Sequence, residues 1–259
     1  NVPGARASSA SVSADRRVIT PMLTSRSYLA EACPTGGGFE VGGYALFRLL
    51  GKTLSYTADV SAAGCGCNAA VYLVSMPQNA DPSACSDYYC DAANVCGVQC
   101  AEIDLMEANR RAWHTTLHGR YDRNGVSTGL GGRSGPRAWT AQDYGPDPAA
   151  CINTLLPFRV EVSFPVGADG NLEAVRLRLS QTLPLRPRCD RQLQIANYAN
   201  TPELRDALWQ GMALVTSYWR SDDMGWLDGA ANGAGCIVEN EPCGSTAVYD
   251  FSVEDTIVF

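Results

Sequence analysis

The amino-acid sequence predicts an all-β fold, a β-sandwich of two antiparallel curved sheets with few short helices. The first observation is a period of two in the apolar residues, which puts alternate side chains on opposite faces of a strand. The second is a set of turn signals between these segments. The third is the absence of the strand–helix alternation that a parallel sheet requires. Together these features indicate two packed antiparallel sheets.

Four segments carry the period of two. In "LSYTADV", residues 54–60, the apolar Leu54, Tyr56 and Ala58 alternate with polar residues. The others are "FRVEVSF" at 158–164, "VRLRLS" at 175–180 and "MALVTSYW" at 212–219. We expect each segment to form a strand with one buried face and one wetter face.

The turns and the composition along the chain predict one domain. Gly51-Lys52 indicates a hairpin between "YALFRLL" and the strand that follows, and "GADGN" at 167–171 indicates another. We find no repeat and no linker, so residues 21–259 are expected to form a single β-sandwich domain. Residues 1–20 are small and polar without a period, and they predict a loose N-terminal arm.

One segment has the signals of a helix. "TPELRDALWQG" offers Thr201 as N-cap, Pro202 in the first turn and Gly211 as a stop. We expect a short helix here, with Trp209 in the core.

The overall charge excludes several classes of partner. The chain of 259 residues has 27 acidic and 20 basic residues, a formal net charge of −7. An acidic surface argues against nucleic acid and against anionic membranes. No apolar segment reaches the length of a membrane span. We therefore expect no nucleic-acid and no membrane partner.

The cysteines indicate an oxidising compartment. There are 11, without the paired CxxC motifs of a zinc site, so disulfides and secretion to the extracellular space are expected. The odd number leaves at least one thiol unpaired or paired outside the chain. The first residue is Asn1 rather than Met, which suggests processing or trimming, and no Asn-x-Ser/Thr acceptor for N-glycosylation is present.

Three acidic residues interrupt an apolar run in "CAEIDLMEAN", residues 100–109. On a regular strand Glu102 and Asp104 share one face and Glu107 points to the other. The three converge only if one extra residue between Asp104 and Glu107 forms a β-bulge. A helix is the alternative, but it separates Glu102 from Glu107 and the segment has no capping signal. The sequence therefore predicts a bulged strand.

Such a cluster suits cleavage of a glycosidic bond. In a retaining glycosidase two carboxyl groups about 5–5.5 Å apart act as nucleophile and as acid/base. Crowding carboxylates in a partly buried cleft separates their pKa values, so that one is charged while another holds a proton. A middle aspartate can hydrogen-bond the nucleophile. We expect this chemistry to use no metal and no organic cofactor.

Simpler interpretations compete with this one. Charge clusters are usually solvated faces, and an E-x-D-x-x-E string is common. His114 and His118 have the i, i+4 spacing of zinc ligands, but there is no His-Glu-x-x-His motif and a strand breaks helical spacing. His118 alone is also compatible with an ordinary surface histidine.

Five segments in order along the chain resemble glycoside hydrolase family 7, the cellobiohydrolases and endoglucanases that cut cellulose. "CAEIDLMEAN" is similar to the strand that carries that family's nucleophile, its assistant and the acid. The other four are "CGCNAAVYLVSM" (65–76), "YYCDA" (88–92), "YGPDPAACINTLLPFRVEVSF" (144–164) and "GMALVTSYWRSDDMGWLDG" (211–229). The resemblance spans roughly residues 40–240 and implies a concanavalin A-like jelly roll.

The resemblance implies a role for each matched residue. Glu102 would be the nucleophile, Asp104 its assistant and Glu107 the general acid/base. His118 would contact the sugar near the cleavage point. The other implied substrate-binding residues are Asn68, Tyr72, Tyr89, Asp91, Trp219 and Trp226, with the two tryptophans as sugar platforms. Core packing is the alternative role for the tryptophans.

The chain departs from the family pattern in ways that affect the mode of cleavage. The loop before the carboxylate strand and the loop from Trp219 to Trp226 are short. Ala92 and Ala93 replace polar residues, and an arginine expected before Cys236 is missing. Short loops leave an open groove, which favours endo-cleavage over processive exo-action.

The resemblance also implies two disulfides, Cys90–Cys100 and Cys65–Cys236, and position alone suggests Cys151–Cys189. The cysteines that cannot be paired from the sequence are Cys33, Cys67, Cys85, Cys96 and Cys243.

The sequence therefore predicts a secreted, monomeric, retaining endo-β-1,4-glucanase whose partner is a polysaccharide, a β-glucan. The nearest alternative is a β-1,3 or mixed-linkage glucanase, because Glu-Ile-Asp-x-x-Glu also resembles glycoside hydrolase family 16. The Trp-rich and Tyr-Gly-Pro segments favour family 7. A non-catalytic carbohydrate-binding protein on the same scaffold and a disulfide-rich structural protein are the remaining interpretations.

Overall fold

The computed structural model describes residues 10–31, 42–79, 81–132, 138–184, 186–229, 236 and 241–256, and it confirms the all-β fold. The strands are β1 Ser11–Val12, β2 Val18–Thr20, β3 Ser25–Tyr28, β4 Leu46–Phe47, β5 Lys52–Asp59, β6 Cys67–Val74, β7 Glu102–Ala108, β8 Trp113–His118, β9 Val126–Leu130, β10 Tyr144–Gly145, β11 Ile152–Asn153, β12 Phe158–Ser163, β13 Ala174–Gln181, β14 Cys189–Ala196, β15 Met212–Arg220 and β16 Ala247–Asp255. The helices in these ranges are α1, Thr201–Gln210, and a 3-10 turn, Met76–Gln78.

The strands form two antiparallel seven-stranded sheets. The first has the order β1-β2-β16-β5-β12-β13-β14. The second has the order β3-β15-β6-β7-β8-β9, and β4 also pairs with β15. A short parallel pair, β10 with β11, lies outside both sheets. All four segments with a period of two are strands in this arrangement.

The core lies between the two sheets. In β12, Phe158, Val160 and Val162 are buried, and the residues between them are half-buried. The strands β6 and β15 of the second sheet are different, because nearly every residue in them is buried. The second face of these two strands is therefore covered as well, and it is the face that holds the polar cluster described below.

The two predicted turns have different outcomes. Residues 167–171 connect β12 to β13 as an antiparallel hairpin, with the Gly167 N–H donating to the Asn171 carbonyl, as expected. The Gly51-Lys52 prediction was wrong as a hairpin. Gly51 does turn the chain, with φ +77°, but β4 belongs to the second sheet and β5 to the first. This turn passes between sheets, because local turn chemistry does not specify which strand becomes the partner.

The predicted helix is present, with two differences in detail. Asn200, not Thr201, is the N-cap, and the Thr201 hydroxyl instead donates to the Tyr198 carbonyl. Trp209 was predicted in the core but is 66% exposed, because α1 buries a different face. Neither helix in the described ranges has the length and apolarity needed to cross a membrane.

Part of the predicted loose arm belongs to the first sheet. The strands β1 and β2 pair with each other, and β2 also pairs with β16, so residues 11–12 and 18–20 extend the sheet edge. Residues 1–9 lie outside the described residues. The single-domain organisation of residues 21–259 stays a prediction.

Five disulfides staple the described chain. Cys65–Cys236, Cys90–Cys100 and Cys151–Cys189 are present as expected. The two that sequence reasoning left open are Cys67–Cys243 and Cys85–Cys96. Cys33 lies outside the described residues, and so does the segment in which an arginine was expected before Cys236.

Candidate active site

The strand β7 carries a β-bulge at Leu105. Along β7 three steps separate Asp104 from Glu107, but on β8 only two steps separate their partners, Thr116 and His114. The pairing with β6 skips Leu105 as well. The extra residue that the carboxylate spacing requires is therefore present.

The bulge sorts the side chains of β7 into two sets. The apolar ones belong to the core between the sheets: Ile103, Leu105, Met106 and Ala108. The acidic ones lie on the opposite face, where Glu102 is 0%, Asp104 2% and Glu107 8% exposed. Because Leu105 and Met106 both belong to the core, the Glu107 side chain lies on the same face as Glu102 and Asp104.

Each carboxylate faces a polar residue of β8. The cross-strand pairs are Glu102 with His118, Asp104 with Thr116 and Glu107 with His114. Directly opposed residues of an antiparallel pair have Cβ atoms about 4.5–5.5 Å apart. The two histidines therefore lie at opposite ends of the row of carboxylates.

Glu102 lies deepest in the cluster. Its carboxylate accepts a hydrogen bond of 3.1 Å from the backbone N–H of Ala92. Burial raises the pKa of Glu102 well above its usual value, and the charges of Asp104 and Asp91 raise it further, while the nearby His118 opposes them. The site thus resists a full set of negative charges.

Glu107 has a different environment. The Asn68 side-chain amide donates to its carboxylate at 3.0 Å. Burial raises the pKa of Glu107 and the charge of Asp104 adds to it, so that the value reaches about 7 although the Asn68 hydrogen bond lowers it. A carboxyl group with this pKa can give and take a proton near neutral pH.

Asp104 is held by His118. The imidazole Nε2 lies 3.1 Å from the Asp104 carboxylate, and Nδ1 lies 2.9 Å from the carbonyl oxygen of Asp122. Burial alone would lower the pKa of His118, but the hydrogen bond to Asp104 and the charges of Asp104 and Glu102 raise it to about 10. The alternative interpretation of His118 as an ordinary surface histidine is thereby excluded, since the residue is 8% exposed.

The two tryptophans stack on each other at one end of this face. The rings of Trp219 and Trp226 have centroids 6.3 Å apart and planes 23° apart. Trp219 is 8% exposed and Trp226 37% exposed. Trp226 also meets the edge of the His114 ring, with centroids 6.3 Å apart. Trp226 is therefore the ring that solvent, and any ligand, can reach.

The other residues implied in substrate binding lie beside the carboxylates but beneath the surface. Asn68, Tyr72, Tyr89 and Asp91 are all 0% exposed. The Tyr72 and Tyr89 hydroxyls are 3.1 Å apart, and Asp91 accepts the N–H of Val95. In this structure the four form the layer under the cleft, and direct sugar contact by them stays a prediction.

One set of side chains in the cleft has metal-ligand spacing. The donor atoms of Glu102, Asp104 and His118 lie within 4.8 Å of one another. His114 is not part of this set, so the described residues give the His114/His118 zinc interpretation no support.

Comparison with known proteins identifies the relatives of this fold. The model of "Glycosyl hydrolase family 7" matches residues 20–93. Endoglucanase 1 of Pyricularia oryzae is 31% identical over an alignment covering 78% of this chain and 60% of that protein. Among solved structures, a family 7 cellobiohydrolase from Daphnia pulex has a TM-score of 0.60 and 18% identity, covering 82% of this chain and 72% of the other. An endoglucanase I complexed with cellobiose has a TM-score of 0.63 and 19% identity, covering 81% and 69%.

The chain is similar to glycosyl hydrolase family 7 in sequence over residues 20–93 and in fold over most of its length.

The family 7 match has definite limits along the chain. Residues 20–93 include β3 to β6 and end before the carboxylate strand β7. The chain spans about 60% of the length of endoglucanase 1 of Pyricularia oryzae. The structural neighbours extend the likeness to 81–82% of this chain, so the jelly-roll fold is confirmed.

Sequence reasoning missed several groups around the candidate cleft. His114 was considered only as a zinc ligand, although even spacing from His118 on a strand puts both on one face. The Ala92 N–H carries no signal in the sequence, because every non-proline residue has one. Arg26 and Asp87 form a buried ion pair near Tyr89, and their separation along the chain left them unconnected.

Proposed function

We propose that this protein hydrolyses β-1,4-glucan with retention of configuration, in an open cleft and by endo-cleavage. The observation that carries the proposal is the bulge at Leu105, which brings Glu102, Asp104 and Glu107 to one face of the second sheet. Burying three carboxylates on one surface costs folding free energy. Buried carboxylates with perturbed pKa values are typical of functional sites.

The environments of the two glutamates support separate roles. Glu107, with a pKa of about 7, is suited to be the acid/base, and Glu102 is the proposed nucleophile. The crowded cluster holds at least one proton, because burial and neighbouring charges raise the pKa of both. We place that proton on Glu107, because the Ala92 N–H favours the charged form of Glu102 against the burial that raises its pKa.

The reaction then takes two displacements. The Glu102 carboxylate attacks the anomeric carbon while Glu107 gives its proton to the departing glycosidic oxygen, and a glycosyl-enzyme ester forms. Glu107, now charged, takes a proton from water, whose oxygen attacks the same carbon and releases Glu102. The His118 cation, 3.1 Å from the Asp104 carboxylate, limits how far negative charge can accumulate beside Glu102.

The relatives support the choice of substrate. Those matched along most of this chain are named endoglucanases, and one structural neighbour was solved with cellobiose. The stacked pair Trp219 and Trp226 offers an indole face of the kind on which pyranose rings pack. The five disulfides support secretion, and we propose a monomer that meets the polysaccharide outside the cell.

The deciding experiment is digestion of a panel of β-glucans, with the anomeric form of the first product read by NMR. We expect β-1,4-glucan to be shortened in mid-chain with a β-anomer released first. Products only from β-1,3 or mixed-linkage glucan would move the assignment to that specificity. Glucan binding without any new reducing end would mean a carbohydrate-binding protein.

The matched variant is Glu102→Gln, which keeps the shape of the side chain and removes the nucleophile. We expect it to fold and to bind glucan, with turnover reduced at least 10⁴-fold. Full activity in Glu102→Gln would refute the assigned role.

A further inference from the structure

The loop between β6 and β7 supplies groups to the candidate site. Within residues 81–100 of this loop, the Ala92 N–H donates to the Glu102 carboxylate at 3.1 Å. The Tyr89 hydroxyl of the same loop lies 3.1 Å from the Tyr72 hydroxyl. The position of this loop therefore affects the surroundings of Glu102 directly.

The two disulfides of this loop are internal to it. Cys85–Cys96 joins two residues within the loop. Cys90–Cys100 joins the loop to its own last residues, just before β7 begins. Neither of these bonds reaches β3 or β15, on the other side of β6. The approach of the loop to that side of the sheet depends on non-covalent contacts.

Asp87 makes such contacts. Its side chain is fully buried, and one oxygen, Oδ2, accepts from Arg26 Nη2 at 3.1 Å and from the Tyr28 hydroxyl at 2.8 Å. Both of these residues belong to β3. The other oxygen accepts from the loop itself, from the Ser83 hydroxyl at 2.9 Å and the Tyr89 N–H at 3.0 Å. A single carboxylate thus joins β3 to the loop.

Arg26 holds the loop at a second point. It lies opposite Ser217 of β15 and is 0% exposed. Its guanidinium carbon is 3.7 Å from the centroid of the Tyr89 ring, a close cation–π contact. A buried guanidinium needs an anion, so Arg26 and Asp87 depend on each other for their positions.

We propose that Asp87 is a positioning residue for the candidate nucleophile: through Arg26 and Tyr28 it holds the loop against β3, and so keeps the Ala92 N–H aligned with Glu102. This inference rests on the proposed function, because it concerns the same site. Asp87 itself acts only through the loop.

Removing the charge of Asp87 has a definite physical consequence. Arg26 would remain as a buried cation without its anion, and the loop would shift to let water or another group reach it. The Ala92 N–H would then stabilise the charged form of Glu102 less well. Glu102 would then be protonated at higher pH, so the acid limb of the kcat/KM profile would move to higher pH.

The test compares Asp87→Asn with Asp143→Asn, which breaks an ion pair to Arg191 of the first sheet. For each variant we would measure kcat and KM on soluble β-1,4-glucan across pH, and hydrogen exchange at the Ala92 amide. In Asp87→Asn we expect kcat to fall about 10–100-fold with KM changed less than about threefold. The acid limb moves up and the Ala92 amide exchanges faster. Asp143→Asn should change none of these.

Other outcomes count against the proposal. A folded Asp87→Asn protein with native kcat, acid limb and Ala92 exchange would overturn it. If Asp87→Asn does not fold, Tyr28→Phe removes one hydroxyl donor to Asp87 and should change the same readouts in the same direction, to a smaller extent. Native values in Tyr28→Phe would equally overturn the proposal. If the unmodified protein cleaves no glucan, the proposed function fails, and Ala92 exchange still decides the role of Asp87.

Discussion

The Asp104 carboxylate and the His118 imidazole form a buried pair, with Oδ2 and Nε2 3.1 Å apart. The other ring nitrogen lies 2.9 Å from the Asp122 carbonyl oxygen, so both N–H groups of a protonated ring have acceptors. A pKa raised to about 10 means that the ring is charged at neutral pH. The candidate site therefore contains one cation among three carboxylates, which reduces their mutual repulsion.

The first prediction concerns stability against pH in the His118→Gln variant. Since the folded-state pKa of about 10 exceeds the ordinary 6.5, the pair stabilises the fold fully below pH 6.5, and this contribution is lost as pH rises to about 10. The loss is on the order of 5 kcal/mol. Urea unfolding from pH 6 to 10 measures it. The free energies of unfolding of the unmodified protein and of His118→Gln should differ most at pH 6. A difference that stays constant from pH 6 to 10 would contradict the pairing.

The second prediction concerns the alkaline limb of activity. Loss of the proton from Glu107 should limit kcat/KM above pH 7, given its pKa of about 7. The Asn68 amide lowers that pKa by donating to the carboxylate, so Asn68→Ala should move the limb to higher pH, by roughly half a unit to one unit. Full pH–rate profiles measure this shift. Asn171→Ala, in the β12–β13 turn, is the control and should leave the limb in place.

The fold was predictable because its main signal is local. Alternation in β12 reports a strand with one buried face, whatever its partner. Partnership is not local, and the Gly51-Lys52 turn shows the difference, since the strands on its two sides belong to different sheets. The prediction of Trp209 in the core was wrong for a related reason, because a helix with few apolar residues does not indicate which of them faces the core.

The site was predictable where its chemistry requires a particular spacing of residues in the sequence. Three carboxylates at 102, 104 and 107 can meet only through an inserted residue, and β7 has one at Leu105. The contact of Glu102 with Ala92 and that of Arg26 with Asp87 cannot be predicted from a spacing in the sequence. The first uses a backbone N–H, and the second joins residues 61 positions apart in the chain.

The third prediction separates the two aromatic environments of the protein. Trp226 is partly exposed and stacked on Trp219, so Trp226→Ala should weaken glucan binding and raise KM about tenfold, with a smaller change in kcat. Trp209→Ala is the matched control, because Trp209 is more exposed and lies on α1, outside the strand that carries the carboxylates. Steady-state kinetics on soluble glucan measure both. Equal KM values for the two variants would rule out Trp226 as a sugar platform.

The fourth prediction concerns the strand that backs the histidines. Gly129 of β9 lies opposite His114 with φ +146°, and a Cβ there would sit 1.9 Å from the Trp113 carbonyl oxygen. Gly129→Ala must push β9 away from β8, and we expect it to lower the free energy of unfolding by on the order of 3 kcal/mol. Gly170→Ala also has a positive φ but faces open space, so its cost should be only about 1 kcal/mol.

Urea unfolding of both glycine variants provides the comparison. If β9 also fixes the His114 ring beside Trp226, glucan turnover by Gly129→Ala should fall even under conditions where the variant is fully folded. Gly170 is in a turn of the first sheet, so its variant should keep native turnover. An equal loss of stability in the two variants would mean that β8 and β9 do not approach as closely at Gly129 as this structure has them, because only that approach distinguishes the two positions.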